Sequence, residues 1–197
     1  AYARHGKSNE SMLHLSAAVI LIASQVVLLR LLVIATVIAP TAVPSLLLPM
    51  GTGLAFGVIA SLPGWNKLRS SGADLPKPTS ANPTEIPAAL SFALIYVAVL
   101  LGAAWLSDIA GNRGLYAVAA VSGLTDVDAI TLSCLRLFQL DKLSSHHASV
   151  AIAIAFLANM LLKFGLVFFI GGRALAKHVA GGFAATSAGV TLGLLLL

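Results

Sequence analysis

Charge is what this sequence has least of. Twelve Lys and Arg and seven Asp and Glu make up 10% of its 197 residues, whereas soluble domains carry about 25%. Together with a hydrophobic share of 58% and a mean hydropathy of +0.96, that excludes a soluble globular domain and leaves an integral membrane protein. A single cysteine, Cys134, excludes an intrachain disulfide and a cysteine metal cluster, and reads as a small packing residue. No HExxH, GxSxG or P-loop pattern occurs, and the spans leave no length for a soluble catalytic domain, so the chain is read as not an enzyme. Period-two alternation, the mark of a membrane barrel, is missing too: "AAVILIAS" and "AIAIAFLANMLLKFGLVFF" are unbroken. Helices remain.

What is present is a series of apolar runs. Residues 13–38, 43–62, 86–109, 115–140, 148–170 and 174 to the end each approach the roughly 20 residues that cross a hydrocarbon core of about 30 Å. The expectation is an all-α, polytopic membrane protein of about six transmembrane helices, with its lipid bilayer as the first partner. Residues 1–12 read as the polar tail of a linker from a removed N-terminal domain, residues 13–197 as the membrane domain, and the Pro-, Ser- and Lys-rich stretch 63–85 as a polar linker within it. In a six-span arrangement Arg4, Lys7, Lys67, Arg69, Lys77, Arg136 and Lys142 share one side, and Arg113, Arg173 and Lys177 the other. Seven against three places both termini in the cytoplasm. The basic cluster "GGRALAKH" on the outer side works against that tally. Basic residues at span ends account for the net charge of +5 without nucleic acid.

Inside the spans the ionisable residues are Arg30, Asp126, Asp128 and Lys163. Such charges cost at least about 2.5 kcal/mol each at the bilayer centre, so they face a bundle interior or cavity and take partners. Asp126 and Asp128 raise a geometric problem, because at 100° per residue they point about 200° apart on a regular helix. Either each meets a different neighbouring helix, or the helix breaks near Gly123–Asp128. Gly123 and the N-cap types Ser122, Thr125 and Asp126 favour the break. Two half-helices meeting in mid-membrane expose backbone groups and a positive helix N-terminus, as many transporter sites do. Asn159 and Lys163, four apart, share a face of the next helix.

The candidate binding set is therefore Asp126, Asp128, Asn159, Lys163, Arg30, Thr125 and Ser122. Asp126 and Asp128 are the ligands if a cation binds, and no other cofactor is implied. Gly53, Gly57, Gly182, Ala185, Gly189 and Gly193 have small-xxx-small spacing, which suits helix packing and also admits a homodimer. Asn159 and Gln25 suit interhelical hydrogen bonds, and His146 and His147 a solvated loop. His14, Ser16 and Arg30 are echoed sixteen-residue spacing and all by His147, Ser149 and Lys163, which suggests a repeat.

Three stretches, "NPTEIPAALSFALIYV", "GLYAVAAVSGLTDVDAITLS" and "ANMLLKFGLVFFIGG", resemble the uncharacterised membrane domain at the C-terminus of bacterial MgtC/SapB-type proteins, a domain of unknown function. The resemblance runs from about Leu13 to the end and is most specific around Asp126 and Asp128. It implies the bacterial cytoplasmic (inner) membrane, an MgtC-like domain as an N-terminal partner, and an association with ion homeostasis that belongs to the MgtC half. It supplies no binding residues. The expected function is a transporter or channel domain for a cation, a proton or a small polar solute. The alternative is a non-transporting regulatory or assembly module whose buried charges are structural ion pairs.

Overall fold

The computed structural model describes residues 10–70 and 86–197, and every regular element within them is helical. Helix α1 is Glu10–Ile38 and α2 is Val43–Ser70, joined by a 3-10 turn, Pro40–Ala42. Helix α3, Ile86–Thr125, is interrupted at Gly111; α4 is Val127–Gln139; and α5, Ser145–Leu166, passes through a π turn, Val167–Gly171, into α6, Gly172–Leu195. The all-α expectation holds. Among the described residues, Leu13–Ile38, Pro40–Leu62 and Ser145–Leu195 are the stretches long and apolar enough to cross a membrane. Helix α2 continues through residues 63–70, where the sequence reads as linker, because a helix about 40 Å long carries its polar end past the apolar region. Residues 71–85 of that linker and 1–9 of the N-terminal segment lie outside the described residues.

Contacts at the helix ends fix the path of the chain. Let the end where α1 starts be the near end and the end where it stops the far end. At the far end the Gln139 side-chain amide donates to the Ile38 carbonyl. Ser149 Oγ donates to the Ser45 carbonyl at 2.7 Å, and Ser45 Oγ to the Ser145 carbonyl at 3.3 Å. At the near end the rings of His14 and His178 lie 4.8 Å apart. So α1 and α6 run toward the far end, and α2 and α5 run back.

Residues 115–140 do not cross. Gly111 takes φ 58°, ψ −145°, a conformation open to glycine, and reverses the chain so sharply that a side chain at Gly114 would run into the Leu106 carbonyl. The C-terminal arm of α3 starts at the far end, where Asn112 and Tyr116 each lie 2.8 Å from a ring nitrogen of His147. It descends beside α5 until Gly123 meets Ala155. The chain breaks at Asp126, and α4 climbs back to Gln139 at the far end. Thirteen residues of α4 rise about 20 Å, too short for a core of about 30 Å. The segment is a re-entrant hairpin, so the structure does not bear out six crossing helices. Among the described residues, the start of α1 and the end of α6 lie at opposite ends of the bundle.

The glycine stripes hold α2 against α6. A Cβ at Gly189 would lie 2.6 Å from the Thr52 carbonyl oxygen and 2.9 Å from the Gly53 Cα, and one at Gly193 2.6 Å from the Leu48 carbonyl oxygen. Backbones that close permit Thr52 Oγ1 to donate to the Gly189 carbonyl at 2.7 Å. Gly57 and Gly182 take the side chains of Gln25 and Leu21. These glycines are filled from within the chain. Gly189→Ala must push main chains apart, and overpacking costs about 1–3 kcal/mol. We expect a melting temperature lower by roughly 2–12 °C in detergent for Gly189→Ala, against little change for Gly181→Ala, where a Cβ meets nothing within 4 Å.

Candidate functional site

The tip of the re-entrant hairpin is built by Ser122 to Asp128. Helix α3 ends because the Asp126 N–H and the Thr125 hydroxyl both donate to the Ser122 carbonyl, at 2.8 and 2.9 Å. Asp126 then turns extended, φ −150°, ψ 114°, and its Oδ1 accepts from the Asp128 N–H at 2.8 Å. That is an N-cap, and it starts α4. Of the two arrangements open to the aspartate pair, the chain takes the break: Asp126 stands outside any helix and Asp128 in the first turn of α4. The tip thus sets the carbonyl end of α3 against the positive N-terminus of α4 inside an apolar bundle.

Neighbouring helices bring the remaining groups. Arg30 of α1 donates from Nη2 to Asp128 Oδ2 at 2.8 Å, with the arginine side chain 51% exposed and the aspartate 18%. Asn159 of α5 donates to the Gly123 carbonyl at 3.0 Å, so it holds the hairpin rather than a carboxylate. Lys163, one turn further, is partly buried and within Coulombic range of Asp128 and Arg30, yet no ion pair within 4.0 Å forms between it and a described carboxylate. Three oxygens of this region are buried without a partner: Asp128 Oδ1, Ser122 Oγ and Thr131 Oγ1. All seven candidate residues therefore fall at or beside the tip, in different roles. Asp126 and Thr125 terminate helices, Asn159 clamps, Arg30 pairs with Asp128, Lys163 makes no ion pair among the described residues, and Ser122 keeps an unused hydroxyl.

Sequence reasoning missed Thr131. It is fully buried on α4 three residues after Asp128, and that spacing on one helix face was the available signal. It also missed His147. Rather than lying in a solvated loop, that ring uses both nitrogens to tie the hairpin arm to α5. Gln25 makes the interhelical bond expected of it, donating to Thr186 Oγ1 at 2.9 Å, with its own Oε1 left unpartnered. Cys134 is buried and free. Among the described residues no group of three or more His, Cys, Asp or Glu gathers to hold a metal ion.

Comparison with known proteins gives relatives without an assigned activity. An uncharacterised protein of Aquifex aeolicus (strain VF5) is 30% identical over 122 residues, 62% of this chain and 51% of that protein. The chain spans about half the length of this curated relative. No solved structure matches it. A family model described as a domain of unknown function, DUF4010, matches residues 1–171, and the chain belongs to that family.

Proposed function

We propose that the protein is a membrane transport domain in which the hairpin tip, with Asp126 and Asp128 beside Lys163 and Arg30, receives a cation, a proton or a small polar solute. The observation that carries this reading is the break at Asp126 in a hairpin that enters and leaves by the far end. Irregular backbone inside an apolar bundle is tolerated where it is buried in protein or lines a cavity, and it is a recurrent way to build mid-membrane sites. The two carboxylates and the free hydroxyls of Ser122 and Thr131 supply oxygen ligands, and the two cations balance the charge. No catalytic role is assigned to the tip.

The reversal at Gly111 also changes the charge tally. Arg136 and Lys142 join Arg113 at the far end, and Arg173 and Lys177 open α6 at the near end. With Lys67 and Arg69 at the end of α2, the described near end carries four basic residues against three, and in the sequence Arg4 and Lys7 precede α1 and Lys77 follows α2. The start of α1 then lies in the cytoplasm and the end of α6 outside, and "GGRALAKH" no longer conflicts with the rule. The resemblance to the membrane domain of MgtC/SapB-type proteins is the ground for placing the chain in a bacterial inner membrane beside an MgtC-like domain.

The test is the melting temperature of the detergent-purified protein across mono- and divalent cations, small polar solutes and pH, for wild type, Asp126→Asn and Asp128→Asn. Asparagine caps helices as well as aspartate does, so Asp126→Asn removes charge while keeping α4 started. A ligand at a hundredfold excess over Kd stabilises by about 2.7 kcal/mol, or roughly 5–11 °C for a chain of this size. We expect one ligand class to raise the melting temperature in wild type and to lose that effect in Asp128→Asn. Uniform behaviour across every condition would favour the second reading, a non-transporting module. That reading has its own support in the Arg30–Asp128 pair and the Asp126 cap.

A further inference from the structure

We infer that α1–α2 and α5–α6 are the halves of an inverted repeat, and that Lys163 is the counterpart of Arg30, the alternative partner to which Asp128 passes when the halves exchange conformations. The exchange rests on the transport reading above; the repeat stands on geometry. Helix α1 runs toward the far end and α5 toward the near end, and their hairpin mates α2 and α6 are likewise opposed. A two-fold relating the halves must turn the contact of α1 with α6 into the contact of α5 with α2.

Those two contacts fix the offset independently of any sequence likeness. His14 meets His178, 164 positions on. Ser45 is bonded to both Ser145 and Ser149, 100 and 104 positions on and centred at 102. The mean of 164 and 102 is 133, the offset the two-fold requires. The sequence echo has the same value, for adding 133 to His14, Ser16 and Arg30 gives His147, Ser149 and Lys163. The same offset carries Ile38, where α1 stops, to Gly171, where the π turn after α5 stops.

Arg30 and Lys163 therefore stand at mirrored depths, each eight residues and about 12 Å from the end its helix approaches. Helix α4 packs on both α1 and α5, and Asp128 stands in its first turn. Only one of the two equivalent pairs is made: Asp128 holds Arg30 at 2.8 Å while Lys163 makes no ion pair with a described carboxylate. An inverted repeat has a second state in which its halves trade roles around a fixed site. In that state Lys163 takes Asp128 and Arg30 releases it, which opens the tip to the opposite end.

The experiment measures spin-label distances by pulsed electron resonance in lipid nanodiscs, in a Cys134→Ala background. One pair, Thr41→Cys with His146→Cys, spans the halves at the far end, and another, Leu62→Cys with Leu166→Cys, at the near end; all four residues are exposed. In Arg30→Gln the two distances are expected to change in opposite directions, each by on the order of 5 Å, one helical turn. Arg30→Lys and Lys163→Gln are expected to keep the wild-type distances, and Asp128→Asn to give a mixture of both sets. Wild-type distances in Arg30→Gln, both distances changing together, or a single wild-type set in Asp128→Asn would overturn the exchange. If the distances exchange while no cation, proton or solute shifts stability or crosses the bilayer, the inference stands and the transport reading falls. Transport that depends on Asp128 with fixed distances would remove the exchange alone.

Discussion

Asp128→Asn by itself is expected to cost about 3 kcal/mol, and the double variant Arg30→Gln, Asp128→Asn to recover most of that loss. The reason is an asymmetry: removing one member of a buried ion pair strands the other, at about 3–5 kcal/mol, whereas replacing both together is often neutral. The Arg30 side chain is half exposed and Asp128 largely covered, which places the expected cost at the lower end of that range. For a chain of this size 1 kcal/mol moves the melting temperature by about 2–4 °C, so Asp128→Asn should melt roughly 6–12 °C early. The informative quantity is the coupling from the full cycle with Arg30→Gln. A coupling of about 2 kcal/mol or more marks a pair shielded from water, whereas exposed pairs give about 0.2–1 kcal/mol. The second value would mean that water reaches the Arg30–Asp128 pair, which a transport path requires and a structural clamp does not.

Much of this fold could be read from composition and spacing, and the failure has one physical source. Apolar run length reports how much chain can lie in a membrane, not whether it crosses. The stretch 115–140 has the length of a span, yet Gly111 at φ 58° and the bonds of His147 to Asn112 and Tyr116 turn it back to the end it came from. Those are contacts between residues far apart in sequence, and no local pattern encodes them. In a six-span count the basic cluster "GGRALAKH" works against the charge tally. The break itself was legible, because two aspartates two apart cannot share a face of one helix and Asp126 is a capping type. Its roles were not: Asp126 and Thr125 serve the backbone, and of the two aspartates it is Asp128 that pairs with a cation, Arg30. The glycine stripes announced close packing but not their partner, which is α6 against α2 within one chain.

Gly123→Ala is the second substitution with a large expected effect, because it acts on the hairpin's seat and not on its charges. A Cβ at Gly123 would strike the Ala155 carbonyl oxygen and lie 2.5 Å from the Ala155 Cα. Real Cβ atoms do not approach main chain so closely, so the α3 arm must lift off α5. Lifting stretches the bond from Asn159 to the Gly123 carbonyl, 3.0 Å long, and leaves that carbonyl without its donor inside the bundle. Overpacking costs about 1–3 kcal/mol and an orphaned buried polar group about 1–3 kcal/mol more. The expected result is a melting temperature lower by at least about 4 °C, on a scale of about 2–4 °C per kcal/mol, together with loss of whatever ligand stabilisation the wild type shows. Ala155→Gly offers a sharper check than a simple loss. The atoms in the way belong to the backbone of residue 155, so removing its methyl group should not rescue Gly123→Ala. A rescue would mean that the arm rests on the Ala155 side chain, and the tip would then sit higher along α5, nearer the far end, with Asp128 out of reach of Lys163.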